Sequence, residues 1–180
     1  MMAGEENLRF KTIRMEKIGL LSIMDMDNED IILNGDNGRR LLDRARRYCA
    51  VEERCSYDVR RKLTEWGADE GEKDAVVTRL EADGYLDEGR YARAYCESKM
   101  LRGGWGCQKV RYELRQKGVS RDAIEAGVAS VPQEEYMAAL RRQVEKRLGE
   151  GVVELDDKTK AYLLRRGYGW DEMGKLDVDN

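Results

Sequence analysis

The side chains best placed to do chemistry in this chain are cations, because they recur at fixed places. The segments RRKLTEWG at 60–67, RYELRQKG at 111–118 and KAYLLRRG at 160–167 share one pattern. Each has a cation (Arg60, Arg111, Lys160), a leucine three positions on (Leu63, Leu114, Leu163) and a glycine four positions after that. Further cations flank the leucines at Arg61, Lys62, Arg115, Lys117, Arg165 and Arg166. Guanidinium and ammonium groups donate charge-assisted hydrogen bonds to carboxylates and phosphates, so the chemistry on offer is recognition of anionic surfaces. A second group, LRGGWGCQKVR at 101–111, sets Arg102, Lys109 and Arg111 around Trp105. An indole beside cations can stack on a base or anchor in a protein pocket, and it can equally plug a helix junction. Lys117, Arg165 and Arg166 stand in a last helical turn, where they also complement the helix dipole.

Bond-making chemistry has little to work with. There is no histidine, which removes the commonest general base and zinc ligand. Neighbouring carboxylates such as Glu52–Glu53 and Asp87–Glu88 point to different sides of a helix and are solvated. No phosphate-cradling GxxxxGK[ST] loop, nucleophile elbow or HExxH is present. Cys49, Cys55, Cys96 and Cys107 form no CxxC pair and are expected to be reduced and partly buried. The expectation is a non-enzyme with no metal, cofactor or small-molecule substrate. No secretory signal stands at the N-terminus, and the run IGLLSIM at 18–24 is too short to span a bilayer. A cytoplasmic protein without membrane contact is expected.

Positioning such cations requires a repeated scaffold. The leucines lie 51 and 49 residues apart in a chain of 180, as a tandem array would leave them. Helix formers dominate, Pro132 is the single proline, and 38% of residues are charged. The fold class is therefore all-α: an elongated array of three tandem three-helix repeats, the last truncated, behind a short N-terminal extension. The repeats are placed at 39–84, 85–131 and 132–180. Helices are expected over 39–54, from a Ser56 cap to Trp66, and over 70–83, then 88–102, 107–117 and one capped by Ser120. The third cycle gives 133–148, 157–166 and a last helix from near Trp170. Gly103, Gly104 and Gly106 read as a flexible joint around Trp105, and Tyr85 as a core residue. The extension 1–38, with its Asn-Gly pairs, reads as a small hairpin or an unstructured segment. Residues 39–121 carry 20 Lys+Arg against 15 Asp+Glu between two acidic flanks, which is compatible with a polyanion contact.

The run RLEADGYLDEGRYARAYCESKM at 79–100, followed by RGGWGCQKVRYELRQKGVSRDAIEAGV at 102–128, resembles the RecX family of bacterial recombination regulators. The shared elements are Leu80, Gly84, Tyr85, Leu86, Asp87, Glu88, Tyr91, Ala92, Lys117 and Gly118. The resemblance spans about 40–175 and is strongest in the centre. It implies three tandem three-helix units that bind the RecA filament and restrain its ATPase and strand exchange, with weak DNA binding besides; a monomer is expected. The residues alone support an alternative, a helical-triplet DNA-binding protein acting through phosphate contacts. Candidate partner-binding residues are Arg60, Arg61, Arg102, Trp105, Lys109, Arg111, Arg115, Lys117, Arg165 and Arg166.

Overall fold

The computed structural model describes residues 28–149 and 154–176, and the secondary structure among them is entirely helical. The helices are α1 (Asn28–Asn34), α2 (Asp36–Val51), α3 (Ser56–Glu65), α4 (Glu70–Ala82), α5 (Glu88–Cys96), α6 (Cys107–Gln116), α7 (Arg121–Ala129), α8 (Gln133–Leu148), α9 (Asp157–Arg165) and α10 (Trp170–Gly174). A π-helical segment, Glu97–Arg102, extends α5.

The repeated pattern is a helix stop with a buried knob. Leu63, Leu114 and Leu163 are each fully buried, and burying a leucine is worth roughly 2–3 kcal/mol. Their carbonyls accept the amide N–H five residues on, from Ala68, Val119 and Tyr168. The intervening Gly67, Gly118 and Gly167 have φ of 82°, 75° and 88°, a left-handed turn that glycine takes without a Cβ penalty. The three residues after these glycines are buried in turn. Leucine, glycine and inward-turned residue thus form one structural unit used three times.

Caps set the other boundaries. Asp69 and Glu72 form a reciprocal capping box at the start of α4. Asp87, Ser120 and Asp156 each accept the amide three residues on, at the starts of α5, α7 and α9. The second helix of the first cycle differs slightly from expectation, since Cys55 is its N-cap and Ser56 its first residue.

Three expectations are corrected. Residues 28–38 are helical rather than hairpin or unstructured, while 1–27 lie outside the described residues. Gly38 sits inside α2 because α1 crosses there: a Cβ would lie 2.2 Å from the Ile32 carbonyl oxygen. Tyr85 is 37% exposed, and Leu86 takes the inward place instead. The glycines around Trp105 form a close-packed contact, as described below.

The buried residues gather into two clusters rather than three. One is built from the first cycle: Leu41, Leu42, Ala45, Val59, Leu63, Val76 and Leu80, closed by Leu86. The other runs without a break through the second and third cycles, from Tyr91, Cys96 and Leu114 to Leu140, Leu163, Tyr168 and Met173. Cys55 is the one side chain of the first cycle that reaches into it.

Candidate docking surface and module joints

The cation three residues before each leucine is spent inside its own module. Arg60 Nη1 donates to Asp74 Oδ1 at 2.7 Å, tying α3 to α4. Arg111 forks onto Glu125 with three bonds of 2.9–3.1 Å, tying α6 to α7. Both acids stand 14 residues beyond their arginine, so the recurring cation is a tie between the second and third helices. In the third cycle position 174 is a glycine and Lys160 approaches only Asp157, at 4.0 Å.

Before Gly118 and Gly167 stands a cation, where the first cycle has Trp66, and each of these two cations reaches back to the preceding module. Lys117 Nζ donates to Asp58 Oδ1 at 2.6 Å, and Tyr91 Oη and Cys55 Sγ donate to Asp58 Oδ2 at 3.2 Å each. Burial of Asp58 pushes its pKa up, but the bonds from Lys117, Cys55 and Tyr91 outweigh it and hold the carboxyl below its ordinary value. Burial pushes the Tyr91 phenol strongly upward, so it remains a donor. The stabilising share of Asp58 is therefore complete at neutral pH and is lost as pH falls below the ordinary value of 3.8 towards its depressed folded one. Unfolding free energies of wild type and Asp58→Asn from urea denaturation should lie about 1–3 kcal/mol apart at pH 7 and converge as the medium is acidified through that range.

At the equivalent place Arg166 bridges the second joint. Its Nη1 donates to the carbonyls of Gly103 at 2.8 Å and Gly104 at 3.1 Å, and its Nε to Tyr162 Oη at 2.7 Å. Here backbone meets backbone. The amide of Gly106 donates to the Arg166 carbonyl at 2.8 Å, and that of Gln108 to the Gly167 carbonyl at 3.2 Å. A Cβ on Gly106 would lie 2.1 Å from Gly167, and one on Gly104 2.3 Å from the Gln143 side chain. These glycines are there for close approach. Glu172 completes the joint, accepting from Tyr136 Oη at 2.7 Å and Cys107 Sγ at 3.2 Å.

Trp105 is half-buried against the larger core. Two lysines lie over its indole, Lys109 at 4.2 Å and Lys99 at 5.2 Å from the ring centre. Arg102 is exposed and meets Glu97 at 3.2 Å. Arg61, Arg115 and Arg165 are exposed, and their side chains form no hydrogen bond or ion pair among the described residues. They stand on the outer faces of α3, α6 and α9, near the exposed Tyr57, Tyr112 and Leu164. The candidate cations therefore divide: Arg60, Arg111, Lys117 and Arg166 hold the array together, while Arg61, Arg115 and Arg165 face outward.

A further cationic surface lies outside those candidates. Arg40, Arg44 and Arg47 sit at i, i+4 and i+7 on α2 and line a cleft of about 330 Å³ with Asn37 and Trp66. Arg44 stacks on the Trp66 ring at 4.1 Å. The spacing in RRLLDRARR was the signal for this row. No group of three or more His, Cys, Asp or Glu side chains among the described residues is arranged to hold a metal ion. Likewise no described helix is long and apolar enough to cross a membrane.

Fold and surface together define an array of helical triplets, built to present cations and exposed aromatics along successive modules. Residues 87–128 match the family model described as RecX, second three-helix domain. The chain is 33% identical over 147 residues to "Regulatory protein RecX" of Escherichia coli, covering 74% of this chain and 87% of that one. It is 32% identical to the protein of the same name from Cronobacter sakazakii, over 74% and 88% of the two chains. The chain belongs to the RecX family of regulatory proteins. Its fold matches a crystal structure of regulatory protein RecX with a TM-score of 0.69 at 18% identity, over 86% of this chain and 81% of that one. A crystal structure of RecX from Lactobacillus salivarius gives a TM-score of 0.63 at 18% identity, over 78% and 94%.

Proposed function

We propose that this protein docks on the RecA recombinase filament as a monomer in the cytoplasm and restrains its ATPase and strand-exchange activity, without a catalytic centre of its own. The observation that carries this reading is the outward face repeated on α3, α6 and α9, each with an exposed arginine whose guanidinium makes no hydrogen bond or ion pair among the described residues. A filament offers the same protomer surface again and again. Modules in a fixed array meet several copies at once, and weak contacts multiply through effective concentration. Bridging neighbouring protomers then opposes the rearrangement that accompanies ATP turnover. The test is RecA ATP hydrolysis on single-stranded DNA titrated with this protein. Turnover should fall at substoichiometric to stoichiometric ratios, and unchanged turnover in excess would remove the reading.

The α2 arginine row favours a second reading, direct contact with a nucleic-acid strand. The cleft is lined by three arginines against one carboxylate, Asp43, a net positive surface such as nucleic-acid interfaces carry. Three phosphate contacts to a single strand predict a slope of log affinity against log salt of about −2. Replacing Arg40 or Arg47 by glutamine should shallow that slope by roughly 0.7 each in a fluorescence-anisotropy titration without RecA.

A further inference from the structure

The two joints of the array are built on the same repeat position and yet differ in kind. At the second joint two backbone amides donate across the boundary, from Gly106 and Gln108. The cores of the second and third modules there are one cluster. At the first joint, among the described residues, no backbone–backbone hydrogen bond crosses beyond the short link of residues 85–87. No helix of the first module lies along a helix of the second. The first module keeps its own core. What crosses is side-chain and polar: Lys117 and Tyr91 onto Asp58, Arg90 Nε onto Glu53 Oε1 at 2.6 Å, and the small Cys55 side chain.

The equivalent glycines make the contrast local. A Cβ on Gly167 would lie 2.4 Å from the Lys109 amide nitrogen, whereas one on Gly118 would meet nothing within 4 Å. In place of the close approach, the first joint has a cleft of about 280 Å³ between Arg54, Cys55 and Ser56 on one side and Lys117, Gly118 and Val119 on the other. An apolar core shared across a boundary, reinforced by backbone bonds, resists rotation because any rotation exposes it. Side-chain bonds beside an open cleft resist rotation only through the few pairs themselves, about 1–3 kcal/mol each, because water entering the cleft replaces their hydrogen bonds once the joint opens.

We propose that the array is one arm and one block. Residues 28–84 form an arm that swings about the 85–87 link, the second and third modules form the block, and the Lys117–Asp58 pair is the latch that holds the arm in the observed orientation. The latch centres on the Asp58 carboxylate and its Lys117 partner, in a joint that also holds the Tyr91 hydroxyl on Asp58 and the Arg90 guanidinium on Glu53 and the Gly84 carbonyl. Arg166, at the same repeat position, is backed by two backbone hydrogen bonds and a continuous apolar core, which the first joint lacks, so its loss does not free the third module.

Residual dipolar couplings of the ¹⁵N-labelled full chain in a weakly aligning medium test this. In the wild type one alignment tensor fits arm and block together, in the orientation of the structure. In Lys117→Met, and independently in the isosteric Asp58→Asn, couplings within the arm still agree with its own structure. The arm's tensor, however, shrinks to below about 0.6 of the block's, the order of a flexible element. In Arg166→Met a single tensor continues to fit the second and third modules. Three results would overturn the proposal: tensors that stay equal in both latch variants, a wild type whose arm is already decoupled, or an Arg166→Met chain in which the third module separates as readily as the arm. Asp58→Asn retains the side-chain shape and carries the test where Lys117→Met fails to fold. The readout uses no partner, so it stands or falls separately from the filament reading.

Discussion

Gly167→Ala is expected to cost about 4 kcal/mol of folding stability, and Gly118→Ala only about 1–2 kcal/mol, although the two glycines hold the same place in the repeat. Both have φ in the left-handed region, 88° and 75°, so each substitution meets the penalty of an L side chain there. Only Gly167 faces a neighbour. Its new methyl would lie 2.4 Å from the Lys109 amide nitrogen and 2.5 Å from the Lys109 Cβ, which separates two backbone segments that now touch. The Gln108-to-Gly167 hydrogen bond then lengthens or breaks, and the core common to the second and third modules opens at its edge. Urea denaturation followed by far-ultraviolet circular dichroism separates the two variants. Equal midpoints would show that the second joint tolerates repacking that the geometry does not allow.

The largest functional effect is expected from reversing the outward arginines together. Arg61→Glu, Arg115→Glu and Arg165→Glu in one chain should raise the concentration giving half-maximal inhibition of RecA ATP hydrolysis by about 100-fold or more, because linked weak contacts multiply. Each single reversal should shift it only several-fold. The thermal midpoint should stay close to wild type, since these side chains make no hydrogen bond or ion pair among the described residues. Arg60→Gln and Arg111→Gln form the contrast. They break ties to Asp74 and Glu125, and so loosen their modules by about 0.5–2 kcal/mol while leaving the outward faces intact. A triple variant that inhibits as well as wild type would move the contact elsewhere on the array.

Most helix boundaries could be read from the chain because they are written in local chemistry. A glycine after a leucine-bearing helix, or a serine or aspartate before one, acts within a few residues and needs no knowledge of the fold. Gly38 shows where this fails: Asn37-Gly38 has the composition of a turn, yet its missing Cβ serves the crossing of α1 over α2. Gly104 and Gly106 suggest slack for the same reason, and with Gly38 they are among the tightest contacts of the described residues. The cations were legible as a pattern but not as roles. Whether Arg111 meets solvent or Glu125 depends on how α6 lies on α7, and nothing in the heptapeptide around Leu114 encodes that. Tyr85 and Leu86 exchanged places because one residue of register after Gly84 decides which side chain turns inward.

The thiols add a property that the chain carries without any label. Cys49, Cys55 and Cys96 are buried and Cys107 is partly covered, and none is paired. Burial pushes all four pKa values up, those of Cys49 and Cys96 to about 11, so almost no thiolate exists in the closed molecule at neutral pH. Alkylating reagents therefore find their target only during transient openings. Because Cys49 lies in the first core, Cys55 at the first joint, Cys96 in the larger core and Cys107 at the second joint, four native sulfurs form a built-in clock for how often each part of the array breathes.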